Sequence, residues 1–116
     1  MAVMKISDYS SLFKALSEPV RLRILFLLLE KGELCVCDLM QGLALSQSVV
    51  SRHLAYLRNN DLLLARREGV WMYYQVNHSA EYVSGLLEQF HQNVGHSLEF
   101  ADDLQRLVAL DCGSCS

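Results

Sequence analysis

Between Val20 and Leu29 the chain places Val20, Leu22, Ile24, Leu25, Leu27, Leu28 and Leu29. At 100° per residue these apolar side chains lie on nearly every side, which predicts a central buried helix. Pro19 stands just inside its start, behind the candidate cap Ser17. Lys31-Gly32 closes it with a basic last turn and a C′ glycine. Upstream, Tyr9, Leu12, Phe13 and Leu16 follow the i, i+3, i+4, i+7 spacing of a short amphipathic helix. Downstream the pattern predicts two short helices, Asp38 to Gly42 and roughly Ser46 to Arg58, with Gly42 near their junction. The second starts from Ser46, a good N-cap, and packs Val50, Leu54 and Leu57 at helical spacing. Two short helices joined by a tight turn with a glycine make a helix-turn-helix.

The period then changes. Leu62-Leu63-Leu64-Ala65-Arg66-Arg67, a Glu68-Gly69 turn and Val70-Trp71-Met72-Tyr73-Tyr74-Gln75-Val76 read as a β-hairpin, its second strand rich in β-branched and aromatic residues. Directly after a helix-turn-helix, such a hairpin is a wing. A last long helix is expected from Ala80 to about Leu110, with Val83, Leu86, Leu87, Phe90, Val94, Leu98, Ala101, Leu104 and Val108 along one stripe and Gly95 as a point of bending. The expected fold is mainly α with a β-hairpin wing, a winged helix-turn-helix in the order α-α-α-α-β-β-α. Residues 1–110 form one domain and 111–116 a cysteine-containing tail.

Composition adds an expectation about assembly. A chain of 116 residues builds a core without staples. Its 52% hydrophobic content is high for a small domain that must cover itself with polar surface. Part of that apolar surface is expected to meet a second copy, giving a homodimer through the N- and C-terminal helices. The opening MAVMKISDYS lacks a leader pattern, and the longest apolar run, Ile24 to Leu29, is far shorter than the ~20 residues that span a bilayer. The expectation is a cytoplasmic protein with no membrane partner. Thiols are kept reduced there, so the four cysteines read as metal ligands or redox groups before they read as a disulfide framework.

The formal net charge of −3 argues against an indiscriminate nucleic-acid binder but leaves room for a local basic patch. Between Ser46 and Arg67 the chain carries Arg52, Arg58, Arg66 and Arg67 against Asp61 alone, a balance of 4 − 1 = +3. If Val50, Leu54 and Leu57 mark the inward side of their helix, then Ser48, Arg52, Ala55 and Tyr56 point outward. Ser51 then lies on the shoulder and Gln47 at the N-terminal tip. Such a face suits a major groove: Gln pairs with adenine, Arg with guanine, Ser with bases or phosphate, and Ala with a thymine methyl. Arg66 and Arg67, near the wing tip, would neutralise phosphates or enter a minor groove beside it. A merely solvated set of charges is the plainer alternative, and the order helix, turn, helix, hairpin weighs against it. His53 falls on the flank, where packing and phosphate contact are equally open.

The segment Gly-Glu-Leu-Cys-Val-Cys-Asp-Leu-Met, residues 32–40, carries the chemistry. On a regular helix, residues two apart point about 200° apart, whereas in extended backbone they project to one side. Cys35 and Cys37 therefore chelate together only if the helix begins after them, with Glu33 to Val36 a short strand, Cys37 near the N-cap and Asp38 in the first turn. Helix-start N–H groups favour thiolate, and Asp38 opposes it. Two thiolates are not a full shell: arsenite or antimonite needs a third sulfur, and zinc or cadmium needs four ligands. Met40 shares a face with Cys37, but its thioether cannot replace a thiolate toward As(III) or Sb(III). The remaining candidates are Cys112 and Cys115, a C-x-x-C pair near the C-terminal end. A small buried hydrophobe is the alternative for Cys35. His91, His96 and Glu99 read as solvated positions or dimer contacts. Trp71, Tyr73 and Tyr74 read as strand packing.

With these residues in view, "ALSEPVRLRILFLL", "GELCVCDLM", "SQSVVSRHLAYLRNNDLL" and "REGVWMYYQV", in this order from about Ser10 to Val76, resemble the ArsR/SmtB family of winged-helix metalloregulators. They are most similar to its arsenical-resistance repressors. The resemblance implies a homodimeric repressor of operator DNA, released by trivalent arsenic or antimony as inducer, with no catalytic cofactor. It implies that the helix matching Gln47 to Leu57 reads DNA and that Cys35 and Cys37 hold the inducer. Two departures stand out. The arsenical repressors typically carry a third cysteine where this chain has Met40, so the shell must be completed by Cys112 or Cys115, or the ligand is a methylated arsenical needing two thiolates. The family's zinc sensors place Asp-x-His before a later His on the last helix, and here those positions are Val83 and Gly85. Rival readings are a thiol-redox sensor or a Cd, Zn or Pb sensor of the same fold, or a metal-trafficking protein without a DNA role. No nucleophile signature, phosphate loop or paired-carboxylate site points to an enzyme.

Overall fold

A computed structural model describes residues 4–95 and 97–109 of the chain. The expectations for His96, Leu110, Cys112 and Cys115 fall outside the described residues.

The central helix, α2 (Pro19–Lys31), follows α1 (Ile6–Ala15) and buries Ile24 to Leu28 without a break. Its cap is Glu18 rather than Ser17: the Glu18 carboxylate accepts from the Arg21 N–H at 3.1 Å, whereas the Ser17 hydroxyl turns back to donate to the Lys14 carbonyl. Pro19 takes the first helical position, where no N–H is needed. Gly32 ends α2 at φ 88°, a left-handed conformation that glycine adopts without strain.

The chain then extends for three residues, β1 (Glu33–Cys35), before α3 (Val36–Leu43) begins. The turn to α4 (Gln47–Asn59) differs from the expected glycine turn. Ala44 supplies the left-handed residue, φ 57°, and Ser46 caps α4 by accepting from the Val49 N–H at 3.4 Å. Gly42 lies inside α3 and is buried. A Cβ there would stand 3.1 Å from Leu27 Cδ1 and 3.5 Å from Leu107 Cβ, so this glycine is a close-packing residue.

The wing consists of β2 (Leu63–Glu68) and β3 (Trp71–Val76), antiparallel, with Leu63 opposite Val76 and Glu68 opposite Trp71. The turn is Gly69-Val70, one residue later than expected, with Gly69 at φ 63°. The pairing of β1 along the other edge of β3, Cys35 opposite Tyr73, gives a three-stranded sheet in the order β1-β3-β2. That edge pairing fixes the backbone at Cys35.

The single last helix divides into α5 (Glu81–Asn93) and α6 (Leu98–Ala109). One straight helix would carry Phe100, Leu104 and Leu107 away from the body. The break beside Gly95 lets α6 fold back, so that these residues pack on the core and Asp103 is buried. The described fold is thus a winged helix-turn-helix with six helices and a three-stranded sheet. Exposed apolar side chains stand on α1, α5 and α6, where Ile6 is 84% exposed and Leu98 80%, with Phe13 and Tyr82 about half exposed, and on the wing at Leu64 and Val70. Tyr9 and Tyr82 meet edge to face at 5.3 Å, joining α1 to α5. Among the described residues no helix is long and apolar enough to cross a membrane.

Candidate nucleic-acid interface and thiol site

The inward side of α4 is Val50, His53, Leu54 and Leu57, all buried. Gln47, Ser48, Ser51, Arg52 and Ala55 stand exposed on the opposite side, and Tyr56 is half-buried. Burying one apolar stripe therefore presents the small-hydroxyl, amide and arginine face as a unit.

Three expected DNA-facing residues have other work. His53 is only 8% exposed, with Nδ1 3.6 Å from a Glu18 carboxylate oxygen and 3.5 Å from Arg21 Nη1. Burial, reinforced by Arg52 and Arg21, lowers its pKa against the pull of Glu18. Tyr56 lies under the Arg21 guanidinium, 4.0 Å from ring centroid to Cζ. Arg66 donates from Nε and Nη2 to the Glu33 carboxylate at 2.9 and 2.7 Å, reaches Glu68 at 3.2 Å and covers the Tyr73 ring. Its charge is largely answered within the sheet, and the pair holds the Glu33 carboxyl below its ordinary range. Arg67 is exposed on the wing.

Arg21 and Arg23 were not singled out by the sequence. Arg21 donates to the Ala15 and Lys14 carbonyls at 2.8 and 3.2 Å, closing the end of α1. Arg23 donates to the Leu43 carbonyl at 2.8 Å and pairs with Asp103, while Arg106 donates to the Gly42 carbonyl at 2.9 Å and also binds Asp103. Two arginines thus satisfy the last carbonyls of α3. A charged residue interrupting an apolar helix was the available signal. Its partner, 80 positions away, was not.

The other end of α3 carries the cysteines. Cys35 is its N-cap, in extended backbone at φ −88° and ψ 169°, and Cys37 is the second residue of the helix. Helix formation starts at Val36, before Cys37 and two residues earlier than the expected start at Asp38, so the expected condition for joint chelation, a helix that begins after both cysteines, is not met in this structure. Cys35 is 1% exposed and disulfide-bonded, while Cys37 is a free, half-buried thiol. Cys37 lines a cavity of about 300 Å³ together with Val36, Met40, Gln47, Trp71 and Met72. Among the described residues no group of three or more His, Cys, Asp or Glu side chains stands together to hold a metal. His91 bonds Glu30 through Nε2 at 2.8 Å and meets the edge of Phe26, tying α5 to α2.

A buried three-helix unit with an exposed recognition face, followed by a hairpin, defines the winged helix-turn-helix class of DNA-binding domains. Comparison with known proteins narrows the class. Residues 18–63 match the model of the bacterial regulatory protein, arsR family. The chain is 54% identical over 65 residues to the arsenic resistance transcriptional regulator ArsR2 of Pseudomonas putida, covering 56% of each chain. It is 40% identical over 81 residues to the arsenical resistance operon repressor of Bacillus subtilis, covering 70% of this chain and 75% of that one. Among solved structures, HlyU from Vibrio cholerae superposes with a TM-score of 0.69 at 35% identity, over 77% of this chain and 96% of that one. The chain belongs to the ArsR family of bacterial regulatory proteins. The matched stretch spans little more than half of the Pseudomonas relative's length.

Proposed function

We propose that the chain is a homodimeric repressor that holds operator DNA through α4 and the β2–β3 wing and releases it when As(III) or Sb(III) is captured by thiolates at the start of α3. The observation that carries this reading is positional. Cys35 and Cys37 flank the first residue of α3, and only Ala44, Leu45 and Ser46 separate the end of α3 from the DNA-reading helix. Because α3 begins before Cys37, joint ligation requires its first turn to unwind, and the three-residue link carries that change to α4. The resistance functions in the names of the Pseudomonas and Bacillus relatives support an arsenical inducer. The exposed Ile6, Phe13, Tyr82 and Leu98 support a dimer through the terminal helices.

As(III) requires a third thiolate, and the docking of α6 on α3 supports one from the segment that follows α6. Leu107 lies against Gly42. From Gly42 to Cys37 is about 7.5 Å along a helix, and the five residues from Leu107 to Cys112 span up to ~17 Å. Cys112 or Cys115 of the same subunit is our choice for the third ligand. The test is operator binding with and without arsenite. Wild type should lose affinity by ~5–150-fold, a coupling of ~1–3 kcal/mol. Cys37→Ser and Cys35→Ser should keep operator affinity and lose the response, and normal release from both would refute the site. Truncation after Leu110 should weaken arsenite binding, and unchanged arsenic–thiol stoichiometry would remove the tail from it.

The disulfide at Cys35 favours a second reading, release by oxidation. Peroxide-dependent loss of operator binding in chelated buffer would select it, and release by arsenite under full reduction would select the first.

A further inference from the structure

The cavity beside Cys37 contains two thioether sulfurs that an arsenic site does not use. Cys37 and Met40 stand at i and i+3 on α3, neighbours on one helical face, and Met72 closes the same cavity from the wing strand β3. Trp71 and Val36 supply an apolar wall. One thiol and two thioethers are a poor set for As(III), which forms its bonds to thiolates. They are a good set for a soft monovalent ion, because thioether sulfur binds Cu(I) and Ag(I) without needing charge.

Charge balance points the same way. One thiolate, two neutral thioethers and one monovalent cation sum to zero, so the filled site leaves no uncompensated charge against its apolar wall. A divalent ion would leave a net positive charge there. Methionine has three rotatable bonds, which lets Met40 from α3 and Met72 from β3 adjust to an ion.

We infer that Cys37, Met40 and Met72 form a binding site for a soft monovalent metal ion, Cu(I) or Ag(I), built between the start of α3 and the wing. Binding exchanges the Cys37 thiol proton for the metal, the proton passing to solvent, and no electron is transferred. Gln47, at the tip of α4, lines the same cavity, so an ion seated there ties α3, the recognition helix and the wing together. The site shares Cys37 with the proposed arsenic site but requires neither Cys35 nor the tail.

The test uses the full reduced chain labelled with ¹³C at the methionine methyl groups, with Ag(I) as a redox-inert probe. Ag(I) should shift the methyl signals of Met40 and Met72 together, leave that of Met4 in place, and release one proton per ion. Competition against a chromophoric Cu(I) chelator should show about a tenfold loss of affinity for Met40→Leu and for Met72→Leu, and a larger loss for both together. Leucine nearly conserves volume, so the fold is retained. Unshifted Met40 and Met72 signals at saturating Ag(I), or unchanged Cu(I) affinity in the double variant, would overturn the site. Arsenite titration of the same variants separates the two proposals: the methionine changes should leave it untouched, whereas failure of the arsenic site would appear in wild type as well.

Discussion

Arg23 and Asp103 lie 80 positions apart in the chain and meet through two parallel hydrogen bonds, Nε to Oδ2 at 2.7 Å and Nη2 to Oδ1 at 2.8 Å. The pair fastens α6 to α2, and the second arginine on the same carboxylate, Arg106, fastens both to the end of α3. The carboxylate is 1% exposed and the Arg23 side chain 22%. Asp103→Ala would leave two guanidinium groups facing each other around an empty position. The expected loss is roughly 2–3 kcal/mol, below the value for a fully buried pair because Arg23 keeps some solvent. Urea unfolding measures it, and a loss under about 0.5 kcal/mol would mean that this cluster does not hold α6.

Gly42 carries the second prediction. Alanine there gains helix propensity but brings a methyl 3.1 Å from the mobile end of Leu27. These effects offset, and Gly42→Ala should change stability by less than about 0.5 kcal/mol. Gly42→Val adds two methyl groups against the Asp103 carbonyl and Leu107 and should cost about 1–3 kcal/mol. Thermal unfolding of the two variants beside wild type gives the comparison, and a tolerated valine would show that α6 does not lie against α3.

His53 makes stability depend on pH. Burial depresses its folded pKa below the ordinary 6.5, so between the depressed value and 6.5 the unfolded chain binds more protons than the folded one. Its contribution is therefore fully favourable above about pH 6.5 and falls as the solution is acidified through that window. Unfolding free energies at pH 7.5 and 5.5 should differ in this direction, and His53→Gln should flatten the difference. An unchanged slope in the variant would assign the acid sensitivity to other groups.

The elements were legible from the chain wherever one local period governed them. The α2 core, the Ser46 cap and the wing hairpin each rest on spacing within about a dozen residues. The misreadings share a different cause. The break between α5 and α6 is set by what α6 packs against, and no periodicity before Gly95 reports that. Gly42 was read as a turn former because glycine is usual at turns, whereas here its missing side chain admits Leu27 and Leu107. Arg66 looked like a free cation, and only the strand pairing that brings Glu33 across β3 reveals its partner. The short strand ahead of α3 was legible because the geometry of extended backbone leaves few options, but the helix start was expected two residues too late, and Cys37 lies inside α3. Met72 was invisible as a neighbour of Cys37 because the wing reaches α3 only through the fold.

The paired state of Arg66 separates the wing arginines in their effect on DNA. A cation already answered by Glu33 and Glu68 has little charge left for phosphate, so Arg66→Ala should reduce the salt dependence of operator binding by clearly less than one phosphate contact. Arg67→Ala should reduce the slope by about one and weaken binding almost equally on every sequence. Arg52, exposed on the outward face of α4, is expected to behave differently from both: Arg52→Ala should cost about 1–3 kcal/mol on the operator and relax preference at one base pair. Binding isotherms at several salt concentrations, on operator and on scrambled duplex, distinguish these outcomes. If Arg66 and Arg67 changed the slope equally, the Glu33–Arg66 pair would have to open on DNA, and β1, whose last residue is Cys35, would then be coupled directly to the wing.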